Sequence, residues 1–342
     1  MVAPRASLTQ RAKRWATAAV GGDGETVAAM ARRLGTGWRT IMRAVTEVGT
    51  PMVADEQRLT GVSGVGVDEH AWQHPNRLRG TQWATGIVDI TPGRPARLLD
   101  VVPGRSGASY ADWLARRDPG WRAQIRLAAL DPFRGYLTAL RTHLPAATHV
   151  LDAFHVTRLG MQAVDEVRRR VQQEQLGRRG HKGDPLYETR RALRRRADRL
   201  SDRALQRVKS AMAVGDPDGE LTVAWWAAQQ ICLAYAIPDP ATGKQHAEQL
   251  IDTLVDCPVP EVAKVGRTLR TWRTEYLAYF DTGRPSNGPT EAINLVVEKI
   301  RRAAHGFRNW RNYRLRLLLH CGVQWDRHLT PRIRRRRPRF VT

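Results

Sequence analysis

The sequence predicts an α/β protein in which a mixed-sheet core is preceded by short helices and interrupted by a large helical insertion. Three observations carry this expectation. At Gly61 the apolar period changes to two residues, the signature of a strand. The segments that follow run in the order β-β-β-α-β-α-β. From about Val156 to Phe280 the sequence then reads almost wholly as helix.

Residues from about Leu8 to Val45 form short helices, and the stretch Thr26 to Val45 is patterned like a helix-turn-helix with Gly35 at its tight turn. Val27, Met30, Ala31 and Leu34 face inward at helical spacing. Trp38, Ile41 and Val45 anchor the second helix, whose outer face carries Arg39 and Arg43 within reach of a DNA groove or its phosphates. A plain packing hairpin is the alternative. Strands are expected at Val62–Glu69, Gln82–Ile90 and Ala96–Val102, punctuated by Pro92-Gly93 and Pro103-Gly104. A helix through Tyr110, Trp113 and Leu114 follows. After it come a strand at Ile125–Leu130, a helix from about Phe133 to His143 and a strand at Thr148–Leu151.

The helical insertion is Arg-rich at first, with Arg168 to Arg170 and Arg194 to Arg196, and then apolar around Trp225, Trp226, Leu233 and Tyr235. A Gly/Pro/Ser/Asn loop from Thr282 to Pro289 ends it, and Pro289 suits the first position of a new helix. A basic tail, Arg332 to Arg339, closes the chain. The expected divisions are a helix-turn-helix segment over 1–58, the first part of the core over 59–155, the insertion over 156–281, the returning core helices over 282–326 and the tail over 327–342.

Lys and Arg number 56 against 33 Asp and Glu among 342 residues, a formal charge of +23 that suits a polyanionic partner rather than an acidic substrate. Arg greatly outnumbers Lys, as expected where phosphates are gripped bidentately. Cys232, Cys257 and Cys321 lie far apart without CxxC spacing, which argues against a disulfide framework or zinc module and for a reducing cytoplasm. No apolar run approaches the roughly 20 residues of a membrane span, so no membrane association is expected.

Two acids stand at the ends of apolar strands. Asp68 follows Val62 to Val67, and Asp131 follows Ile125 to Leu130. Converging carboxylates are what divalent-metal phosphodiester chemistry requires. Asp131, however, precedes Pro132 and also suits a turn or helix cap. Glu291 falls in the first turn of the helix begun at Pro289. If Gly288 is the N-cap, Glu291 occupies the third position, where an acid is ordinary capping chemistry. Asp152 ends the strand at Leu151 and is a rival carboxylate, while His155 suits either a hydrogen-bonded core position or the orientation of a phosphate or carboxylate. His70 and His74 stand four apart, but Pro75 argues against a helical metal site there.

Several motifs together resemble the ISL-three family of bacterial insertion-sequence transposases. They are Gly66-Val-Asp-Glu-His70, Leu130-Asp131, Leu151-Asp-Ala-Phe-His-Val156, Ser286-Asn-Gly-Pro-Thr-Glu-Ala-Ile-Asn294 and Lys299 through Asn309. The resemblance runs from about Leu8 to Gly322. It implies an RNase H-like catalytic core of the DDE type, with Asp68, Asp131 and Glu291 as catalytic, metal-binding carboxylates and Asp152, His155 and Asn294 in support. Two Mg2+ ions, with Mn2+ as a substitute, are the implied cofactors. The implied reaction is cleavage of DNA at element ends followed by strand transfer into target DNA.

The implied partners are transposon-end and target DNA and further copies of the chain, with the nucleoid in the bacterial cytoplasm as the place of action. Lys299, Arg301, Arg302, Arg308 and Arg311 are expected to meet the DNA backbone beside Glu291. A catalytically inactive DNA-binding derivative and an RNase H-like nuclease are the alternatives. Fuller members of the family resemble this chain preceded by a cysteine-rich zinc-binding segment. No such pattern occurs here, so a chain lacking that module is expected.

Overall fold

The computed structural model describes residues 7–285, 287–325 and 328. Ser286 and the basic tail from Arg332 therefore lie outside the described residues. In chain order the elements are helices α1 (Gln10–Gly21), α2 (Val27–Arg33) and α3 (Trp38–Ala54), then strands β1 (Gly64–Gln73), β2 (Gln82–Asp89) and β3 (Arg97–Pro103). Helices α4 (Gly107–Ala115) and α5 (Pro119–Gln124) lead to β4 (Leu127–Leu130), α6 (Arg134–His143) and β5 (Thr148–Leu151). A run of helices follows: α7 (Ala153–Leu176), α8 (Pro185–Leu193), α9 (Asp202–Gly215), α10 (Glu220–Ala236), α11 (Pro240–Val255), α12 (Pro260–Thr271) and α13 (Arg273–Asp281). Helices α14 (Gly288–Ala303) and α15 (Trp310–Cys321) complete the set.

The five strands form one mixed sheet in the order β3-β2-β1-β4-β5. β2 and β3 are antiparallel, whereas β1 with β4 and β4 with β5 are parallel. This is the α/β, RNase H-like architecture the sequence predicted. All four residues of β4 are buried, so it reads as a continuous apolar run rather than an alternating one. No helix among the described residues is long and apolar enough to cross a membrane.

The chain divides into two compact units. The first comprises residues 1–63, 68–105 and 289–342, and holds α1 to α3, β2, β3, α15 and most of α14. Thr9 caps α1 by accepting from Ala12 N at 3.1 Å, and Thr26 caps α2 by accepting from Ala29 N at 3.0 Å. Gly35 has φ +58 between α2 and α3, a left-handed value suited to glycine, so the helix-turn-helix turn lies where expected. Ile41 and Val45 are fully buried, but Trp38 is 48% exposed and does not anchor the second helix. Helix α3 also runs on past Val45 to Ala54, with Pro51 near its end.

Arg58 joins three segments of this unit. Its Nη1 donates to Val53 O at 2.8 Å, and its Nη2 to Leu98 O and Leu99 O at 3.1 Å each. Burial holds its pKa down to about 10, with Asp100 opposing that shift. Arg314 closes onto Asp100 with two bonds of 2.7 and 2.9 Å, fixing α15 to β3.

The second unit comprises residues 64–67 and 106–288. It holds the first residues of β1, strands β4 and β5, and helices α4 to α13. Helix α5 has six residues, too short for a periodic signal. In the insertion, the first Arg-rich stretch is internal glue. Arg168 bonds Asp165 at 2.8 Å, and Arg170 reaches Glu220 at 2.8 Å and Glu261 at 2.7 Å. The pairing lowers the Glu261 carboxyl below its ordinary pKa.

Replacing Arg58 by Ala strands three strand and helix carbonyls at once. The expected loss is about 3 kcal/mol of unfolding free energy, since each buried unsatisfied acceptor costs about 1–3 kcal/mol. Urea denaturation of Arg58→Ala against wild type measures it.

Candidate functional site

The acids singled out by sequence lie in two groups, one in each unit. In the second unit the parallel pairing of β4 and β5 sets Leu130 opposite Leu151, so the next residues, Asp131 and Asp152, leave adjacent strands at the same end. Asp152 is 3% exposed and caps α7, accepting from His155 N at 3.3 Å. Asp131 caps nothing, because α6 starts at Arg134 with Phe133 in the capping position and no side-chain cap bond. The turn-forming alternative raised by Pro132 therefore leaves the Asp131 carboxylate uncommitted to the helix.

His155 collects both acids. Its Nδ1 lies 2.8 Å from Asp131 Oδ1 and 2.8 Å from Asp152 Oδ2. Burial alone would depress the imidazole pKa, but the hydrogen bonds to Asp131 and Asp152 and their charges raise it to about 10. The ring is thus an imidazolium at neutral pH. Its hydrogen-bonded role agrees with one of the sequence expectations, although the neighbouring Phe154 is 53% exposed rather than core.

In the first unit, Asp68 sits within β1, which runs on to Gln73 rather than stopping at Glu69. Its Oδ1 accepts from Glu69 N at 2.7 Å, and its Oδ2 accepts from Asn294 Nδ2 at 2.6 Å. Asn294 and Glu291 are three apart on α14 and share one helix face. Helix α14 begins at Gly288, so Glu291 is its fourth residue and not the third-position acid of a capping box. Glu291 is half-buried.

The basic candidates divide. Arg39 and Arg43 are exposed on α3, and Lys299, Arg308 and Arg311 are exposed in and after α14. Arg301 and Arg302 instead clamp Glu298, at 2.7 Å for each of three bonds. These contacts hold the Glu298 pKa down to about 2. Arg302 remains exposed beside this acid, and Arg301 is half-buried. His70 is bonded to α15. Its Nε2 meets Tyr313 Oη at 2.7 Å, and burial lowers its pKa to about 4.

The donor set suits a hard cation. Carboxylate oxygens are the preferred ligands of Mg2+ and Mn2+. In the second unit two of them already converge on one positively charged nitrogen. Because the folded pKa of His155 exceeds its unfolded value of about 6.5, its contribution to stability is complete below pH 6.5 and is lost as pH rises through about 10. In chelator-treated protein, the His155 ring protons followed by NMR should titrate near pH 10. Urea unfolding between pH 6.5 and 10 should lose its His155-dependent slope in His155→Gln. A ring titrating near 6.5 refutes the pairing.

A sequence family described as "Transposase" matches residues 65–317. A second, described as "Helix-turn-helix domain of transposase family ISL3", matches residues 1–49. Two curated proteins named "Transposase for insertion sequence element IS1557", from two strains of Mycobacterium tuberculosis, are 23% identical over 289 residues. That match covers 80% of this chain and 63% of theirs, so the chain spans just under two thirds of the length of these relatives. With a family match extending from β1 into α15 and a second over the N-terminal helices, the chain belongs to the transposase family ISL3.

Proposed function

We propose that the chain is a DDE transposase that cleaves DNA at element ends and transfers the freed strand into target DNA, with Asp68, Asp131 and Glu291 as its metal-binding triad. The observation that carries this reading is strand register. In the parallel pairing Gly66 stands opposite Ala129, with Asp68 two residues on within β1 and Asp131 just past the end of β4. Glu291 shares its helix face with Asn294, which is bonded to Asp68. Family membership supports the use of a divalent metal by these acids.

Bound divalent ions would activate the attacking oxygen and offset charge on the leaving one. Asp68, Asp131 and Glu291 supply the oxygens that hold them, with Mg2+ the physiological ion and Mn2+ a substitute. Asn294 fixes the rotamer of Asp68 by donating to one oxygen, and the His155 imidazolium orients Asp131 against Asp152. Asp152, tied to both the α7 cap and His155, is a positioning acid in this scheme. Water attacks the phosphorus at the element end, the bond to the 3′ oxygen breaks, and that oxygen leaves as a 3′-hydroxyl. The hydroxyl then attacks a target phosphodiester in a second in-line transfer.

In this scheme Arg39 and Arg43, both exposed on α3, contact duplex DNA, and Lys299, Arg308 and Arg311 contact its backbone. Two element ends must be joined, so the active form is a homo-oligomer, acting on the nucleoid in the cytoplasm.

Cleavage and joining on element-end DNA with Mg2+ should fall at least about a thousandfold in Asp68→Asn, Asp131→Asn and Glu291→Gln, as when a reacting group is lost. Undiminished activity in any one removes that residue from the triad. If cleavage occurs without joining in wild type, the nuclease reading replaces this one. Independently, Arg39→Ala with Arg43→Ala should reduce the dependence of duplex binding on log salt by about two, one for each phosphate contact. A slope unchanged from wild type excludes them from the interface.

A further inference from the structure

A cavity of about 780 Å3 opens within the first unit, between the helix-turn-helix, the end of β1 and the segment joining α14 to α15. Its described lining contains no Asp or Glu but five arginines, among them Arg79, Arg308 and Arg316. Only Arg301 of the five is paired with a carboxylate among the described residues.

Arg316 is the unusual one. It is 7% exposed, and it makes no hydrogen bond or ion pair among the described residues. Its Nε is buried without an acceptor, and its guanidinium carbon lies 5.2 Å from the centre of the Phe307 ring. Burial lowers its pKa to about 10, which leaves it charged at neutral pH. A buried, unpaired guanidinium is costly and calls for an anion from outside the chain. Gln73, which also lines the cavity, has its Oε1 buried and without a donor.

Three aromatic side chains, Trp38, Trp72 and Phe307, also line the cavity. Trp38 contributes a half-exposed indole at the start of α3. The volume falls in the range of small-molecule sites and exceeds what a phosphate group needs. Cations beside exposed aromatic faces are the arrangement that holds single nucleotides, because every base offers a face to stack and a phosphate to pair.

We propose that this cavity receives one unstacked nucleotide of the DNA substrate, with its phosphate paired to Arg316 and its base lying against Trp38. This rests on the reading that the chain acts on DNA and adds to it a place where the duplex must open. An unpaired acceptor at Gln73 is available to a base N–H donor. The cost of extruding a base is least at ends and mismatches, so the site favours distorted or frayed DNA over intact duplex.

The test uses the full chain in EDTA, where no strand is cut. Three fluorescein-labelled probes are compared: a short oligothymidylate, an abasic oligonucleotide of the same length, and a random-sequence duplex. Oligothymidylate should bind at least tenfold tighter than the abasic strand, about the effect of one stacking contact. The ratio of single-strand to duplex affinity should fall at least tenfold in both Arg316→Met and Trp38→Ala. Arg316→Met, which removes an unpaired buried charge, should melt no lower than wild type. Trp38→Ala, at an exposed position, keeps the test open if Arg316→Met misfolds. Equal binding of thymidine and abasic strands would reduce the cavity to a backbone-phosphate site, and an unchanged ratio in both variants would remove the nucleotide from it. Failure of the triad assay leaves this result untouched, because binding in EDTA needs no catalysis.

Discussion

The 2.6 Å hydrogen bond from Asn294 to Asp68 is the contact on which the arrangement of the first unit's acids depends. It joins a strand near the start of the sheet to a helix that the chain reaches only after the whole helical insertion. Closing so long a loop costs little more than closing a shorter one, because the entropy grows only with the logarithm of its length. The fold can therefore hold a large insertion between β5 and α14 while α14 still returns to β1. Asp68 gains a fixed rotamer from this bond, and Glu291 shares the helix face that makes it.

Much of this was legible in the sequence, for identifiable reasons. Strands β2, β3 and β5 fall within a residue or two of their predicted bounds, because buried apolar runs between Pro/Gly turns leave few alternatives. Strand β1 is expected to end at Glu69 because His70 and Gln73 beyond it are polar, yet these half-buried residues continue the strand. Trp38 looked like an anchor by periodicity and is half-exposed, since hydrophobicity alone cannot say whether a helix face meets core or cavity. Asp131 could not be separated from a cap until α6 was seen to start without it. Glu291 looked like a capping acid because the helix start was placed one residue late.

Charge was the least legible property. The composition implies a polyanionic partner, but the chain's arginines perform different tasks. Arg170 binds helices through Glu220 and Glu261, Arg58 ties backbone carbonyls, and Arg301 and Arg302 neutralise Glu298. Arg316 has no such partner. These roles depend on which acid or carbonyl lies close in three dimensions, information that residue counts do not hold. The net charge of +23 already discounts the paired arginines against their acids, and it does not say which cations face a polyanion.

The shared ring of His155 has a consequence for how such a molecule comes into being. Gathering carboxylates at the ends of neighbouring strands would ordinarily set like charges against each other as the sheet closes. Here one of the chain's own side chains supplies the counter-charge, from the first turn of the helix that follows β5. Assembly of the acid cluster in the second unit is thereby separated from the supply of ions: the polypeptide can bring these carboxylates together without a cation from solution.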